Sequence, residues 1–245
     1  MALRNMPWEV QLTGDPTDLR MLTDAFTGGE VQVAQPGQEC VLRSSQFELL
    51  DSAASVRECA IELVTALSGS ARLVLGARQA IGVGAVYRVR PDGKRDITVL
   101  VGQALSHERA LPITVVHGTQ IYRPADPISM WLPLVAQDPV VAKALRLRDA
   151  DDLDWVDLYR LYEVIENDVG HLMHRLGWAS RNELNRFART ANSVAAAGDK
   201  ARHGVERNDP PPNPMSLAHA RELIDRIMRA WLEWKASHHD RGSAA

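Results

Sequence analysis

Two arginines, an asparagine and a histidine lie near predicted helix ends: Arg189, Asn192, Arg202 and His203. An imidazole can move protons near neutral pH, and a guanidinium can hold two phosphate oxygens at once. Together they could cleave RNA without a metal ion, with His203 as the base and Arg202 or Arg189 as the phosphate clamp. The structural alternative is that Arg202 and His203 bond backbone carbonyls at a helix C-terminus before Gly204.

Other residue types that could do chemistry are less suggestive. His171 and His174 are three residues apart, which fits a metal ion, but Asp168 is the only carboxylate close to them in the sequence. Cys40 and Cys59 lack the CxxC or Cys/His spacing of a zinc site and are expected to be free, buried thiols. We therefore predict no metal and no cofactor.

The stretch Gly82-Val-Gly84 contains the first two glycines of a nucleotide-binding motif. The third glycine and the following helix of that motif are both missing. The pattern is more typical of a closely packed strand than of a phosphate-binding loop.

Composition indicates an ordinary globular protein. The 245 residues are 45% hydrophobic and 24% charged, which suggests two domains and argues against a disordered or fibrous class. No run approaches the roughly 18 apolar residues that cross a bilayer, and the N-terminus lacks the apolar run of a signal peptide. These features predict a cytoplasmic protein with no membrane partner.

The net charge of −3 is unevenly distributed. Residues 151–179 hold 2 basic and 7 acidic side chains, whereas residues 180–245 hold 11 basic and 8 acidic ones. A nucleic-acid surface normally has a stronger basic bias. We therefore expect the two segments to face each other and neutralise.

The N-terminal residues alternate short strand patterns with helices. The predicted strands are Trp8–Leu12, Val31–Ala34, Glu39–Arg43, Arg72–Leu75, Ile81–Val89, Arg95–Leu100 and Leu111–Val116. The predicted helices are Thr17–Phe26, after the Asp15-Pro16 cap, and Ser52–Leu67, which ends at Ser68-Gly69. The pattern predicts an α+β protein whose N-terminal part is a mixed α/β domain with a small sheet.

The C-terminal part is predicted to be helical. Its helices are Pro139–Leu147, Asp154–Val169, one from the Ser180/Glu183 capping box to Ala191, Ala195–His203, and a last one capped by Ser216. The predicted divisions are an α/β domain over 1–117, a linker over 118–137, a helical domain over 138–237 and a disordered tail over 238–245. The linker is assigned from its prolines, Pro124, Pro127 and Pro133.

Residues 150–237 resemble the helical C-terminal half of a group of uncharacterised bacterial proteins that are similar to HEPN domains. The resemblance is carried by Trp155–Asn167, by Asn185-Arg-Phe-Ala-Arg-Thr-Ala-Asn192, by Gly198-Asp-Lys-Ala-Arg-His-Gly204 and by the terminal helix. It implies an all-α HEPN-like helical bundle that commonly dimerises. Many members are metal-independent ribonucleases of toxin, CRISPR-linked and phage-defence systems.

The usual HEPN motif is an arginine, a polar residue directly after it, and a histidine roughly four to six residues beyond the arginine. His203 stands where that histidine would be, but none of the residues from Ala197 to Asp199 is basic. Arg202 is adjacent to His203, and adjacent residues of a helix diverge by about 100 degrees. Arg189 lies 14 residues before His203 and requires the fold to bring it close.

Two functions therefore remain open. The first is a HEPN-like module that dimerises or binds a protein partner, fused to an α/β sensor or docking domain in a bacterial stress or phage-defence setting. The second is a metal-independent endoribonuclease that binds RNA and uses the four residues named at the outset. An open cleft joining those residues would favour the ribonuclease.

Overall fold

The computed structural model of the protein describes residues 8–98, 126–205 and 209–242. These residues form an α+β protein, with a five-stranded antiparallel sheet in the first part of the chain and helices in the second. The predicted α+β class is therefore confirmed. In this described part of the chain, no helix is both long and apolar enough to cross a membrane.

The chain divides into two compact units, and the first, Met1–Leu132, is built on the sheet. The strands are β1 (Trp8–Thr13), β2 (Val31–Ala34), β3 (Cys40–Ser44), β4 (Gly82–Val89) and β5 (Arg95–Thr98). The strand order is β2-β3-β1-β4-β5, and each neighbouring pair is antiparallel. The sequence predicts a hairpin turn at Gln35-Pro-Gly37 and another at Pro91-Asp-Gly-Lys94, and both hairpins, β2-β3 and β4-β5, are confirmed.

The glycines of β4 allow it to lie close to β1. A Cβ at Gly82 would come within 2.6 Å of the Thr13 hydroxyl, and one at Gly84 within 2.5 Å of the Gln11 side-chain oxygen. A side chain at either position would displace the Thr13 or Gln11 side chain from its place against β4. The interpretation of Gly82-Val-Gly84 as a packed strand is therefore confirmed.

Two helices accompany the sheet, α1 (Pro16–Ala25), which Asp15 caps as predicted, and α2 (Ala53–Val74). The predicted end of the second helix at Ser68-Gly69 is wrong, and so is the predicted strand Arg72–Leu75. These small residues are buried where α2 packs against β4, and the Ser68 hydroxyl accepts a hydrogen bond from the Ile81 amide at 3.0 Å. Packing against the sheet thus overrides the local tendency to end the helix.

A third helix, α3 (Asp126–Val135), contains Pro133. The division between the two units falls at this proline and lies within the predicted linker 118–137. Part of the range that the sequence assigns to a linker is therefore helical. The predicted strand Leu111–Val116 lies outside the described residues.

The second unit, Pro133–Ala245, is helical in its described residues. Helix α5 is central, because α4, α7 and α9 all pack against it. The sequence predicts that the inner face of the last helix, α9, consists of six residues: Leu217, Ala220, Ile224, Ile227, Trp231 and Trp234. The prediction is confirmed at the four of these residues from position 220 to position 231, which are buried, whereas Leu217 and Trp234 are half-buried. The helices are α4 (Pro139–Arg148), α5 (Trp155–Val169), α6 (Leu172–Arg175), α7 (Arg181–Ala191), α8 (Val194–Ala197) and α9 (Leu217–Gly242).

Helix α9 extends beyond the predicted end of the domain. It continues to Gly242, so residues 238–242 of the segment predicted to be disordered are helical. The His238 imidazole lies 4.5 Å from the Trp234 ring, and its Nδ1 atom lies 2.8 Å from the Trp234 carbonyl oxygen. The His238 side chain thus packs against the preceding turn of α9, a contact that the small residues at the end of the sequence do not suggest.

The acidic and basic segments face each other, as the charge distribution predicts. Arg202 pairs with Glu163 at 2.7 Å, and Lys235 pairs with Asp168 at 2.9 Å. Arg221 pairs with Asp152. Three of the eleven basic side chains of residues 180–245 are therefore neutralised by the acidic segment that precedes them.

Candidate functional site at the end of helix α7

The four candidate residues lie on α7 or just after it. The predicted capping box starts this helix: the Ser180 hydroxyl accepts from the Glu183 amide, and the Glu183 carboxylate accepts from the Ser180 amide. Arg189 is exposed in the last turn, and Asn192 is the C-cap. The buried residues of the helix are Leu184, Phe187, Thr190 and Ala191.

The chain after α7 turns back on the end of that helix. Helix α8 covers only Val194–Ala197, and a single 3-10 turn follows over Gly198–Lys200. The helix predicted around 195–203 is therefore confirmed only in its first residues, because Gly198 has a positive φ of 65° that ends α8. The Arg202 amide donates to the Ala191 carbonyl at 2.8 Å. This bond returns the main chain of residues 202 and 203 to the end of α7.

Arg202 is held by two partners on α5. Its Nη2 donates to the Glu163 carboxylate at 2.7 Å, and its guanidinium carbon lies 4.1 Å from the centre of the Tyr159 ring. The Tyr159 ring in turn stacks on Phe187, with ring centres 5.8 Å apart. The guanidinium therefore covers an aromatic stack and pairs with a carboxylate.

Arg189 faces a different part of the chain. Its Nη2 donates to the Asp209 carbonyl at 3.3 Å. One turn earlier, Arg186 donates to the carbonyls of Asn213 at 2.7 Å and Pro214 at 3.1 Å. Two of the three arginines of α7, Arg186 and Arg189, thus hold the connector that leads to α9, which consists of residues 209–214 and contains Pro210-Pro-Pro-Asn-Pro214. No spacing or motif in the sequence marks Arg186 for this role.

Asn192 and His203 lack such clear partners. The Asn192 side-chain oxygen is buried, and no hydrogen bond reaches it from any described residue. The His203 side chain is half-buried, and among the described residues it has no hydrogen bond or ion pair. The expected bonds from Arg202 and His203 side chains to terminal carbonyls are therefore not observed in this part of the chain.

The fold brings the main chain of residue 202 to the end of α7, but the guanidinium groups of Arg189 and Arg202 point to different parts of the chain. Arg202 points to α5, whereas Arg189 points to the connector. Three cavities of the second unit are lined by other residues. In the described residues, the two guanidinium groups do not converge on one place where a phosphate could lie.

One of these cavities is a groove between α4 and α5, of about 510 Å³. It combines aliphatic side chains with charged ones. We call it the α4–α5 groove and define it by Val140, Lys143, Leu147, Arg160, Glu163, Val164 and Asn167.

A second polar cluster, which the sequence analysis missed, joins three helices around Lys235. The Lys235 ammonium donates to Asp138 at 2.8 Å and to Asp168 at 2.9 Å, and Trp231 Nε1 donates to Asp168 at 2.8 Å. Burial lowers the pKa of Lys235, but its two carboxylate partners outweigh burial and hold that pKa above its ordinary value. This cluster fixes the N-terminus of α4 and the end of α5 to α9.

The first unit has its own buried charge, Glu9 of β1, which is only 3% exposed. Arg43 donates to Glu9 from Nε at 2.7 Å, and Arg95 forms a second ion pair with the carboxylate. Arg95 also pairs with Glu39, which accepts a hydrogen bond from the Tyr87 hydroxyl at 2.9 Å. The cluster links β1, β3 and β5 across one face of the sheet.

In the described residues, no group of three or more His, Cys, Asp or Glu side chains is arranged to hold a metal ion. His174 Nδ1 lies 3.3 Å from the Ala179 carbonyl oxygen.

Cys40 is buried and Cys59 is half-buried, and both are free thiols. Burial raises the pKa of both thiols, which makes them less reactive.

Comparisons with protein-family models, with curated proteins and with solved structures find no match to this chain. The class that the described residues define is an α+β protein with a five-stranded antiparallel sheet and a helical second unit. The resemblance to HEPN domains stays a prediction from the sequence.

Proposed function

We propose that the second unit is a HEPN-like helical module that dimerises or binds a protein partner, and that the first unit is its sensor or docking domain. In this proposal neither unit catalyses a reaction. The observation that carries it is the double engagement of Arg202, with the Glu163 carboxylate and with the Tyr159 ring.

A phosphate clamp needs guanidinium donors that are free to turn toward the ligand. A phosphate that took the Nη2 donor of Arg202 would replace the Glu163 ion pair, worth about 0.2–1 kcal/mol when exposed. A phosphate that required the guanidinium to turn off the Tyr159 ring would also cost that contact, worth about 0.5–1 kcal/mol. The loss of both contacts weakens binding by roughly tenfold relative to a free arginine, since about 1.4 kcal/mol is a factor of ten. Arg202 is thus poorly prepared for the clamp role.

The second candidate function is the metal-independent endoribonuclease. It is favoured by His203, whose half-buried ring has no hydrogen bond among the described residues and so remains available to move a proton. In this mechanism the ribose 2′-hydroxyl would attack the adjacent phosphorus while His203 accepts its proton, and the P–O5′ bond would break, with the leaving 5′ oxygen taking a proton from water. Arg202 or Arg189 would have to change partners to hold the phosphate.

Cleavage of RNA in EDTA separates the two candidates. We expect the full chain to leave both single-stranded and hairpin RNA intact in EDTA, and His203→Ala to behave identically. Arg181→Ala, which removes an exposed cation of α7, is the matched control. Cleavage that persists in EDTA, disappears in His203→Ala and survives in Arg181→Ala would replace the proposed module with the ribonuclease.

A further inference from the structure

The α4–α5 groove is elongated along the two helices that form it. Its lining positions on α4 are 140, 143 and 147, and those on α5 are 160, 163, 164 and 167. Each set follows the three-to-four-residue repeat of one helix face. At 1.5 Å per residue, each stripe is roughly 10 Å long. A trough of this length fits two turns of a third helix.

The groove has an apolar floor. Val140, Leu147 and Val164 are half-buried, so each leaves part of an aliphatic side chain facing the groove. A helix that places apolar side chains at positions i, i+3 or i+4, and i+7 would cover all three. Burying this surface gives such a helix a favourable hydrophobic contribution.

The cations that line the groove are more available to a ligand than its one carboxylate. Lys143 is exposed and has no ion pair among the described residues. The Arg160 side chain is 61% exposed, and its ion pair with Asp157 is a long one of 3.7 Å. The one acidic lining residue, Glu163, is paired with Arg202 at 2.7 Å. The groove therefore presents one unpaired cation and one loosely paired cation to a ligand.

We infer that the α4–α5 groove binds an acidic amphipathic helix of a partner protein, an assignment that rests on the proposed partner-binding function. The apolar side chains of that helix lie on Val140, Leu147 and Val164, and its carboxylates pair with Lys143 and Arg160. A second copy of this chain fits the groove less well. A symmetric dimer across it would bring the same two cations of both copies into one interface.

A displayed library of amphipathic peptides tests the inference. Each peptide has about 15 residues, since shorter helices are marginal in water, with leucines fixed along one face and flanking positions drawn from Glu, Lys and Gln. We expect selection on the full chain to enrich Glu at the flanking positions. Enrichment of Lys, or no charge preference, would overturn the inference.

Charge reversal then tests the assigned cations. We expect Lys143→Glu/Arg160→Glu to bind the selected peptide at least tenfold more weakly, and to prefer the same peptide with each Glu replaced by Lys. Arg181→Glu should bind like the wild type. If the double variant does not fold, Lys143→Gln alone should weaken binding several-fold. Equal binding by the wild type and the reversed variant would contradict the assignment.

Different outcomes would contradict the groove assignment and the proposed function. If no acidic peptide is enriched while RNA stays intact in EDTA, the groove assignment alone is wrong. If Lys143→Glu/Arg160→Glu instead changes the oligomeric state, measured as the molecular mass of the protein in solution, a second copy occupies the groove and the inference is overturned. RNA cleavage that depends on His203 would overturn the proposed function whichever peptide is selected.

Discussion

Replacing Lys235 with Met should lower the free energy of unfolding by about 2–3 kcal/mol. The Lys235 side chain is 18% exposed, and its ammonium lies between the carboxylates of Asp138 and Asp168. Without it, two carboxylates remain facing each other in a partly buried place. Urea unfolding at pH 7 measures the loss. Lys143→Met, at an exposed position of α4, is the control and should change stability by less than about 0.5 kcal/mol.

The loss should also depend on pH. Burial raises the pKa of Asp138, but hydrogen bonds from Lys235 and from the amides of Val140 and Val141 outweigh burial, so this pKa lies below its ordinary value. A carboxylate with a lowered pKa stabilises the fold above its unfolded pKa, about 3.9, and this contribution is lost as the pH falls through the folded value. The difference between the wild type and Lys235→Met should therefore shrink below about pH 4. A difference that stays constant from pH 7 to pH 3 would contradict the assigned ion pairs.

The second large effect is expected in the first unit. Glu9→Gln should lower the free energy of unfolding by about 2–4 kcal/mol, because Arg43 and Arg95 lose the buried carboxylate that they share. Glu39→Gln is the matched control, since the same substitution then affects a carboxylate that is 41% exposed. We expect it to cost less than about 1 kcal/mol. Chemical unfolding of both variants under the same conditions measures the contrast.

If Glu9→Gln and Glu39→Gln lowered the free energy of unfolding equally, burial of the carboxylate would not determine how much its ion pairs contribute to stability. A stabilising effect of Glu9→Gln would mean that the cost of burying the carboxylate exceeds the gain from its two ion pairs. Either result would contradict the role given to Glu9, without bearing on the second unit.

The periodic elements of the fold could be predicted from the sequence. The hairpin between β4 and β5 follows from Asp92-Gly93, and Gly93 has the positive φ of 79° that such a turn needs. The capping box of α7 and the inner face of α9 follow from local patterns in the same way. The end of α2 could not be predicted, because Ser68 and Gly69 stay helical only through packing against β4.

The candidate site could be predicted only in part. The pattern of residue types drew attention to Arg202 and His203, but no spacing rule indicates that Arg202 reaches Glu163, 39 positions earlier. The turn that returns residue 202 to the end of α7 depends on a hydrogen bond to Ala191. Such a bond forms only once the fold has brought the two segments together.

Contacts between distant segments explain what the sequence analysis missed. Lys235 meets Asp138 across 97 positions and Asp168 across 67, and nothing local marks any of the three as a partner. The α4–α5 groove arises in the same way, from two helices whose individual patterns predict only that each has one buried face. The charge count did predict that acidic and basic segments would meet, because it does not depend on which residues pair.

A double-mutant cycle on Arg202 and Glu163 tests most directly whether Arg202 is a structural residue. The cycle compares the unfolding free energies of the wild type, Arg202→Met, Glu163→Gln and the double variant. We expect a coupling energy of about 0.5–1 kcal/mol, in the range of an exposed ion pair. Additive effects, together with no loss of stability in Arg202→Met, would mean that the guanidinium is free for a ligand and would contradict the account.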